Sequence, residues 1–255
     1  MTANYHTHTW RCNHAEGTER SYVESAIASG KKILGFSDHS PQCFPNGYVS
    51  GFRMKLSQLE GYAQTIMELK DEYRDSIEIH LGVELEYYPA SFPELMPILR
   101  DTAVEYALLG QHYLGSEMND RYSGAPTEDE HDLIRYCRQV REAMETGVFT
   151  YLAHPDLFRF VGDRKVYRTH MAEICRSANS CGMPVELNLL GLEEGRHYPN
   201  PLFWEIAAEE NCRVVMGCDA HRAEALNAPE TEEKGRSFLA RYGLVPMETV
   251  PLRHI

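Results

Sequence analysis

Seven of the twelve histidines fall into a spaced set with one glutamate and one aspartate. The set runs His6, His8, His14, His39, Glu84, His112, His154, Asp219, His221. Imidazole is the commonest side-chain metal ligand, and carboxylates hold hard and borderline cations. Nine such groups exceed the needs of one tetrahedral zinc and suit two or three divalent ions. Alternate side chains of an extended segment point the same way, so His6-Thr7-His8 and Asp219-Ala220-His221 can each chelate. A glutamate lying between ions can bridge them through its two oxygens. Paired metals about 3.5–4 Å apart stabilise both the attacking and the leaving oxygen of a phosphoryl transfer. A bound ion also lowers the pKa of its water to about 7. The set therefore predicts a multinuclear hydrolytic centre, with Glu84, His154 and Asp219 nearest the chemistry. A lone H-x-H or D-x-H pair would say little; the ordered set is what carries weight.

Short apolar runs must position these groups. Strand candidates are Ala3–His6, Ile33–Ser37, Ile77–Leu85, Tyr106–Leu109, Thr150–Ala153, Pro184–Leu189 and Arg213–Gly217. Between them lie amphipathic stretches near Arg20–Ser29, Leu56–Tyr73, Phe92–Arg100, Glu128–Thr146, Tyr167–Cys181 and Pro201–Asn211, with a last helix over Glu230–Tyr242. Gly30, Gly147, Gly182 and Gly243 follow helical patterns as C-terminal stops do, and Asn211 can serve likewise. Strand-helix alternation implies a parallel sheet. All the candidate ligands but His14, which lies in a loop, sit at or just past a strand's C-terminal end. A barrel gathers those ends around one mouth, whereas an open sheet would spread the first, fourth and seventh strands apart. No glycine-rich phosphate loop of the Rossmann or Walker type is visible.

The chain has 255 residues, which suits one domain over residues 1–255. Its formal net charge of −13 argues against a nucleic-acid partner or an anionic membrane surface. It leaves an anionic small substrate open, because metals supply local positive charge. The seven cysteines form no CxxC, and an odd count fits reduced thiols in a cytoplasmic protein. Cys12 and Cys218 adjoin candidate ligands and are read as small buried residues. No basic and apolar leader and no membrane-length apolar stretch is seen. Self-association is left open.

The motifs H-T-H, F-S-D-H-S, G-V-E-L-E, G-Q-H, L-A-H-P-D and G-C-D-A-H, in this order, resemble the polymerase and histidinol phosphatase (PHP) superfamily. The resemblance runs from His6 to His221. C-N-H-A-E-G in the first loop, and Gly191-Leu192 followed by Tyr198-Pro199-Asn200-Pro201, look like its histidinol-phosphate phosphatase branch. The resemblance implies a distorted (β/α)7 TIM-like barrel with a trinuclear site at the C-terminal face of the strands. It implies one metal on His6, His8, Glu84 and Asp219, and a second on Glu84, His112 and His154, with Glu84 as bridge. His14, His39 and His221 would hold the third. Zinc, iron and manganese all occur in such sites. The implied activity is hydrolysis of L-histidinol phosphate in histidine biosynthesis. A PHP-type phosphoesterase acting on a nucleotide, sugar phosphate or phosphotyrosine is the alternative. A non-catalytic metal-binding module is a poorer one, since all nine ligand positions are filled.

A phosphate monoester also needs contacts beyond the metals, and arginine offers bidentate donors. Arg159 and Arg196 lie at strand ends and are the candidates for phosphate. His197 is a candidate substrate contact. Arg53 and Arg121 sit in loops on the same face and are read as solvated surface arginines. Asp156 could serve as a leaving-group acid or as a turn residue after Pro155.

Overall fold

The computed structural model describes residues 1–255. Eight strands form one parallel sheet in chain order: β1 (Ala3–Asn4), β2 (Ile33–His39), β3 (Glu78–Leu85), β4 (Tyr106–Leu109), β5 (Phe149–Leu152), β6 (Val185–Asn188), β7 (Val214–Gly217) and β8 (Pro246–Met247). β4 to β7 are buried at every position. This is the pattern of a parallel sheet covered on both faces, and it explains why these strands are mostly apolar. At the C-terminal end the sheet curls until Thr7 bridges Ala220 in parallel. The His8 N–H donates to Ala220 O at 2.9 Å and the Ala220 N–H to His6 O at 3.2 Å. The barrel expected from the sequence is thus closed at its mouth.

The opposite end differs from the seven-stranded expectation. There β8 pairs with β7, Val214 against Pro246. Just beyond it, Glu248 Oε2 accepts from the Thr2 N–H and hydroxyl at 2.9 and 3.0 Å. The extra strand is wedged between β7 and the start of β1, which is the distortion of the barrel. Two residues beginning with proline leave no periodicity to read in the sequence.

Helices α1 (Glu19–Ala28), α2 (Leu59–Glu72), α3 (Phe92–Asp101), α4 (Glu130–Glu145), α5 (Arg164–Ser180), α6 (Leu189–Glu194), α7 (Pro201–Glu209) and α8 (Pro229–Ala240) complete the fold. Side chains of Thr18, Asp129, Asp163, Asn188 and Asn200 cap α1, α4, α5, α6 and α7. The Asp163 cap starts α5 three residues before the expected Tyr167. Gly30, Gly147, Gly182, Gly243 and Asn211 all take positive φ after a helix, as stops do. Short α6 was not expected, because it follows β6 without a loop. Inside the barrel the buried Tyr106 hydroxyl donates to the Tyr5 and Phe36 carbonyls at 2.7 and 3.2 Å.

Candidate metal centre

Each candidate ligand leaves the mouth of the barrel. His39 is the last residue of β2 and stands in register with Glu84 of β3. The expected second strand ended at Ser37, so His39 is a strand residue and not a loop one. His6 and His8 lie just past β1, His154 just past β5, and Asp219 just past β7. His154 and Asp219 take φ of 28° and 48°. Left-handed backbone at a non-glycine residue costs of order 1–3 kcal/mol, so the two turns hold strain at the cluster. Gly110 lies against the Glu84 carboxylate so closely that a Cβ would collide with it.

The nine groups converge. Glu84 is central: Oε1 stands 2.7 Å from His154 Nε2 and 3.5 Å from His112 Nε2. Its Oε2 stands 2.9 Å from His39 Nδ1 and 3.7 Å from both His6 Nε2 and His8 Nε2. Asp219 Oδ1 faces His8 Nε2 at 3.0 Å and His6 Nε2 at 3.5 Å. His14 Nε2 and His221 Nε2 meet at 2.9 Å. Donor atoms cluster as His6–His8–Asp219, His6–Glu84–His154, His8–His39–Glu84 and His14–His39–His221, with His39 common to an inner and an outer group. Cys12 lies near His8 and His221 and is fully buried, with its thiol pushed up by burial.

The donor set fits divalent ions. His6 Nε2, His8 Nε2, His39 Nδ1, Glu84 Oε2 and His154 Nδ1 are buried and make no hydrogen bond. An unsatisfied buried polar group costs about 1–3 kcal/mol, so five in one cluster mark a place for ligands the chain does not supply. The far nitrogens are held: His6 Nδ1 by Glu186 Oε1 at 2.8 Å, His112 Nδ1 by Glu86 Oε1 at 2.9 Å and His8 Nδ1 by Asp38 Oδ1 at 3.4 Å. Such contacts set the tautomer and aim the other nitrogen at a metal.

Charge in the cluster is finely opposed. Burial pushes the Glu84 carboxyl up, but the His112, His39 and His6 charges and the His154 contact hold it well below the usual range. Asp219 is held down in the same way by His6, His8 and His221. Burial lowers His8, yet Asp219 and Asp38 outweigh it and raise it to about 9. Burial and the neighbouring His8 depress His221 to about 3. Without metal, protons on inner imidazoles offset the carboxylates; divalent ions would displace those protons.

Seven of the nine groups, all but His6 and His8, line a cavity of about 420 Å³. Phe52, Tyr113 and Tyr122 line one part of its wall, and Leu157, Leu190 and Tyr198 line another. Glu194 and Arg196 complete the wall, with Arg196 Nε 2.7 Å from Glu194 Oε2 and Nη1 2.6 Å from the Tyr198 hydroxyl. Of the expected substrate contacts, only Arg196 reaches this wall. Arg159 is exposed and off it. His197 is also off it, with Nε2 held by Leu157 O at 2.7 Å.

Arg53 is not the solvated loop arginine expected. It is 2% exposed; Nη1 and Nη2 bind Glu86 at 2.6 and 2.7 Å, and Nε binds Glu117 at 2.8 Å. With Nη1 also donating to Ser40 O at 3.0 Å, four of its five donors are engaged. Arg121 turns to the Pro126 carbonyl. Asp156 is buried and accepts from the Asn200 N–H at 2.5 Å and Trp204 Nε1 at 3.2 Å, so it anchors the start of α7. The reading from sequence missed Glu86 and Glu186. Both had a signal: Glu86 comes two residues after Glu84, one past the end of β3, and Glu186 interrupts an apolar run. Glu194, in the unexpected α6, had none.

The PHP domain family model matches residues 4–189. A probable histidinol-phosphatase of Deinococcus radiodurans is 30% identical over 226 residues, covering 85% of either chain. The histidinol-phosphatase of Bacillus subtilis is 26% identical over 254 residues, covering 86% of this chain and 92% of its own. A crystal structure of histidinol phosphate phosphatase from Lactococcus lactis, complexed with zinc, L-histidinol and phosphate, superposes with a TM-score of 0.73 at 18% identity over 98% of both chains. At that identity the likeness is one of fold.

Proposed function

The chain belongs to the PHP domain family, and from that premise we propose that it is a metal-dependent phosphomonoesterase converting L-histidinol phosphate to L-histidinol and phosphate. The observation that carries this reading is the cluster of unpartnered buried donors beside an open cavity. Similarity to histidinol-phosphatases over most of the chain's length selects the substrate. Two to three ions would be held, by His6, His8, Glu84 and Asp219, by Glu84, His112 and His154, and by His14, His39 and His221. Zinc is favoured over iron and manganese by the zinc in the related structure. Bound there, the ions would supply Lewis acidity that polarises the phosphoryl group and acidifies water.

The residues of the chain divide the rest of the work. Glu84, His154 and Asp219 would hold the ions that face the phosphoryl group. Arg196 meets phosphate oxygens from the wall, with its planar fork suited to two contacts. The leaving group, an amino alcohol carrying imidazole, lies against Phe52, Tyr113 and Tyr122, and its ammonium meets Glu194. One P–O bond to the leaving oxygen breaks as one to water's oxygen forms, and a proton given up by that water ends on the leaving oxygen. The reduced cysteines suit a cytoplasmic location. Steady-state kinetics on histidinol phosphate beside nucleotide, sugar and aryl phosphates, with metal content measured on the same preparation, tests the reading. Histidinol phosphate should have the highest kcat/KM; a higher value for any other ester would overturn the substrate assignment.

A further inference from the structure

Glu186 is fully buried in β6 and lies behind the cluster. Four donors converge on its two oxygens. Oε1 takes His6 Nδ1 at 2.8 Å and the Tyr151 hydroxyl at 3.3 Å. Oε2 takes the His154 N–H at 3.0 Å and Asn188 Nδ2 at 3.2 Å. Asn188 Nδ2 also donates to Asp219 Oδ2 at 3.0 Å. One carboxylate therefore reaches three ligands: His6 by its ring, His154 by its backbone and Asp219 through Asn188. These belong to two donor groups, His6–His8–Asp219 and His6–Glu84–His154. The other carboxylates behind the cluster reach fewer ligands: Glu86 binds the His112 ring, and Asp38 binds the His8 ring and the His39 N–H.

We infer that Glu186 is a positioning residue that couples the inner metal positions, so that they fill and empty together. An ionised carboxylate only accepts, and all four partners donate. Proton placement follows: Glu186 keeps hydrogen on His6 Nδ1, so that Nε2, facing Asp219 Oδ1 at 3.5 Å and Glu84 Oε2 at 3.7 Å, is the nitrogen whose proton a metal ion would displace. The same carboxylate tethers the left-handed turn at His154. Glutamine at this position would offer one carbonyl and turn an NH2 against donors, so it cannot satisfy all four. Gly217 gives the carboxylate its room, since a Cβ there would collide with Oε1.

The inference rests on the cluster being a metal centre and not on the substrate. The test is zinc binding to wild-type protein, Glu186→Gln and Glu86→Gln. Stoichiometry comes from elemental analysis, affinity from competition with a chromophoric chelator, and stability from melts in zinc and in EDTA. A lost outer contact typically weakens metal affinity about 10- to 100-fold. Glu186→Gln should show that loss and give up more than one equivalent together, while its melt in EDTA stays near wild type. Glu86→Gln should lose one equivalent at most. Wild-type affinity and stoichiometry in Glu186→Gln would overturn the inference alone, as would a melt lowered equally in zinc and EDTA. A wild-type protein binding fewer than two ions would overturn the metal reading and the inference with it. Should Glu186→Gln not fold, Gly217→Ala crowds the same carboxylate without changing its chemistry and should show the same loss; unchanged affinity there overturns the coupling.

Discussion

His6 and His154 are sealed in the inner part of the cluster, 0% and 2% exposed, whereas His14 is exposed and His221 partly so. The two regions are anchored differently. The inner rings of His6 and His112 lean on the carboxylates of Glu186 and Glu86. The outer rings lean on main-chain carbonyls: His14 Nδ1 on Cys12 O at 2.8 Å and His221 Nδ1 on Asp219 O at 3.0 Å. An anionic partner makes an imidazole a stronger ligand than a neutral one does, and burial excludes competing water. The inner part is therefore the more firmly held, and the outer part the more open to solvent. Glu84 belongs to both, with one oxygen toward His154 and the other toward His39.

The largest effect should come from the residue that joins the two parts. Glu84→Gln removes charge from the middle of the cluster. Losing a preorganised electrostatic contact of this kind costs about 10²- to 10³-fold in rate, which is the fall expected in kcat/KM. His14→Ala touches only the outer group and should cost about tenfold. Both variants should melt near wild type in the presence of metal, because the site is at the mouth. Kinetics and a thermal melt of each decide the matter; equal losses would dissolve the distinction between inner and outer parts. A graded chelator titration sharpens it, with the first ion lost expected to be the one His14→Ala no longer binds.

Legibility in the sequence follows the same division. The inner candidate ligands were readable because strands announce themselves: each lies at, or within three residues of, the end of an apolar run. The barrel was readable because only a closed sheet brings those ends together. The anchors behind the ligands were harder, since Glu186 and Arg53 resemble ordinary charges until burial is known. Arg53 illustrates the limit: its loop position suggests solvent, yet Glu86 and Glu117 bind it below the surface. The wall was hardest. Phe52, Glu194 and Tyr198 come from loops and a short helix whose path depends on tertiary contacts, such as Asp156 holding the Asn200 N–H. Arg159 is read from its place near a strand end and His197 as a histidine outside the ligand set, and neither lines the cavity.

Beyond the metal ligands, the next effect should be at Arg196. A charge-assisted contact is worth about 1.5–3 kcal/mol, so Arg196→Ala should lower kcat/KM about 10- to 100-fold. The loss should be shared by histidinol phosphate and an aryl phosphate, because both present the same phosphoryl group. Metal content must stay at the wild-type level, since Arg196 is on the wall and makes no contact with a ligand. An unchanged kcat/KM on both substrates would assign phosphate binding to the metal centre alone. Arg159→Ala serves as the control: its exposed side chain should leave both substrates unaffected.

The smallest effect is the most discriminating. Glu194 is the one carboxylate on the cavity wall outside the ligand set, and its side chain is 43% exposed. Two roles are open to it. It could attract the ammonium of the leaving group, or it could simply hold Arg196, whose Nε it accepts at 2.7 Å. Exposed ion pairs are worth up to about 1 kcal/mol, so Glu194→Gln should cost about two- to fivefold in kcat/KM. If Glu194 attracts the amine, the loss falls on histidinol phosphate alone. An aryl phosphate carries no cation and should be hydrolysed as well as before, or slightly better, since Arg196 is freed. If Glu194 only restrains Arg196, both substrates shift together and in the same direction. Measuring the two esters side by side at low ionic strength, where such a pair is least screened, separates these outcomes. Parallel shifts would remove Glu194 from leaving-group recognition and leave the aromatic rings of Phe52, Tyr113 and Tyr122 to select the imidazole.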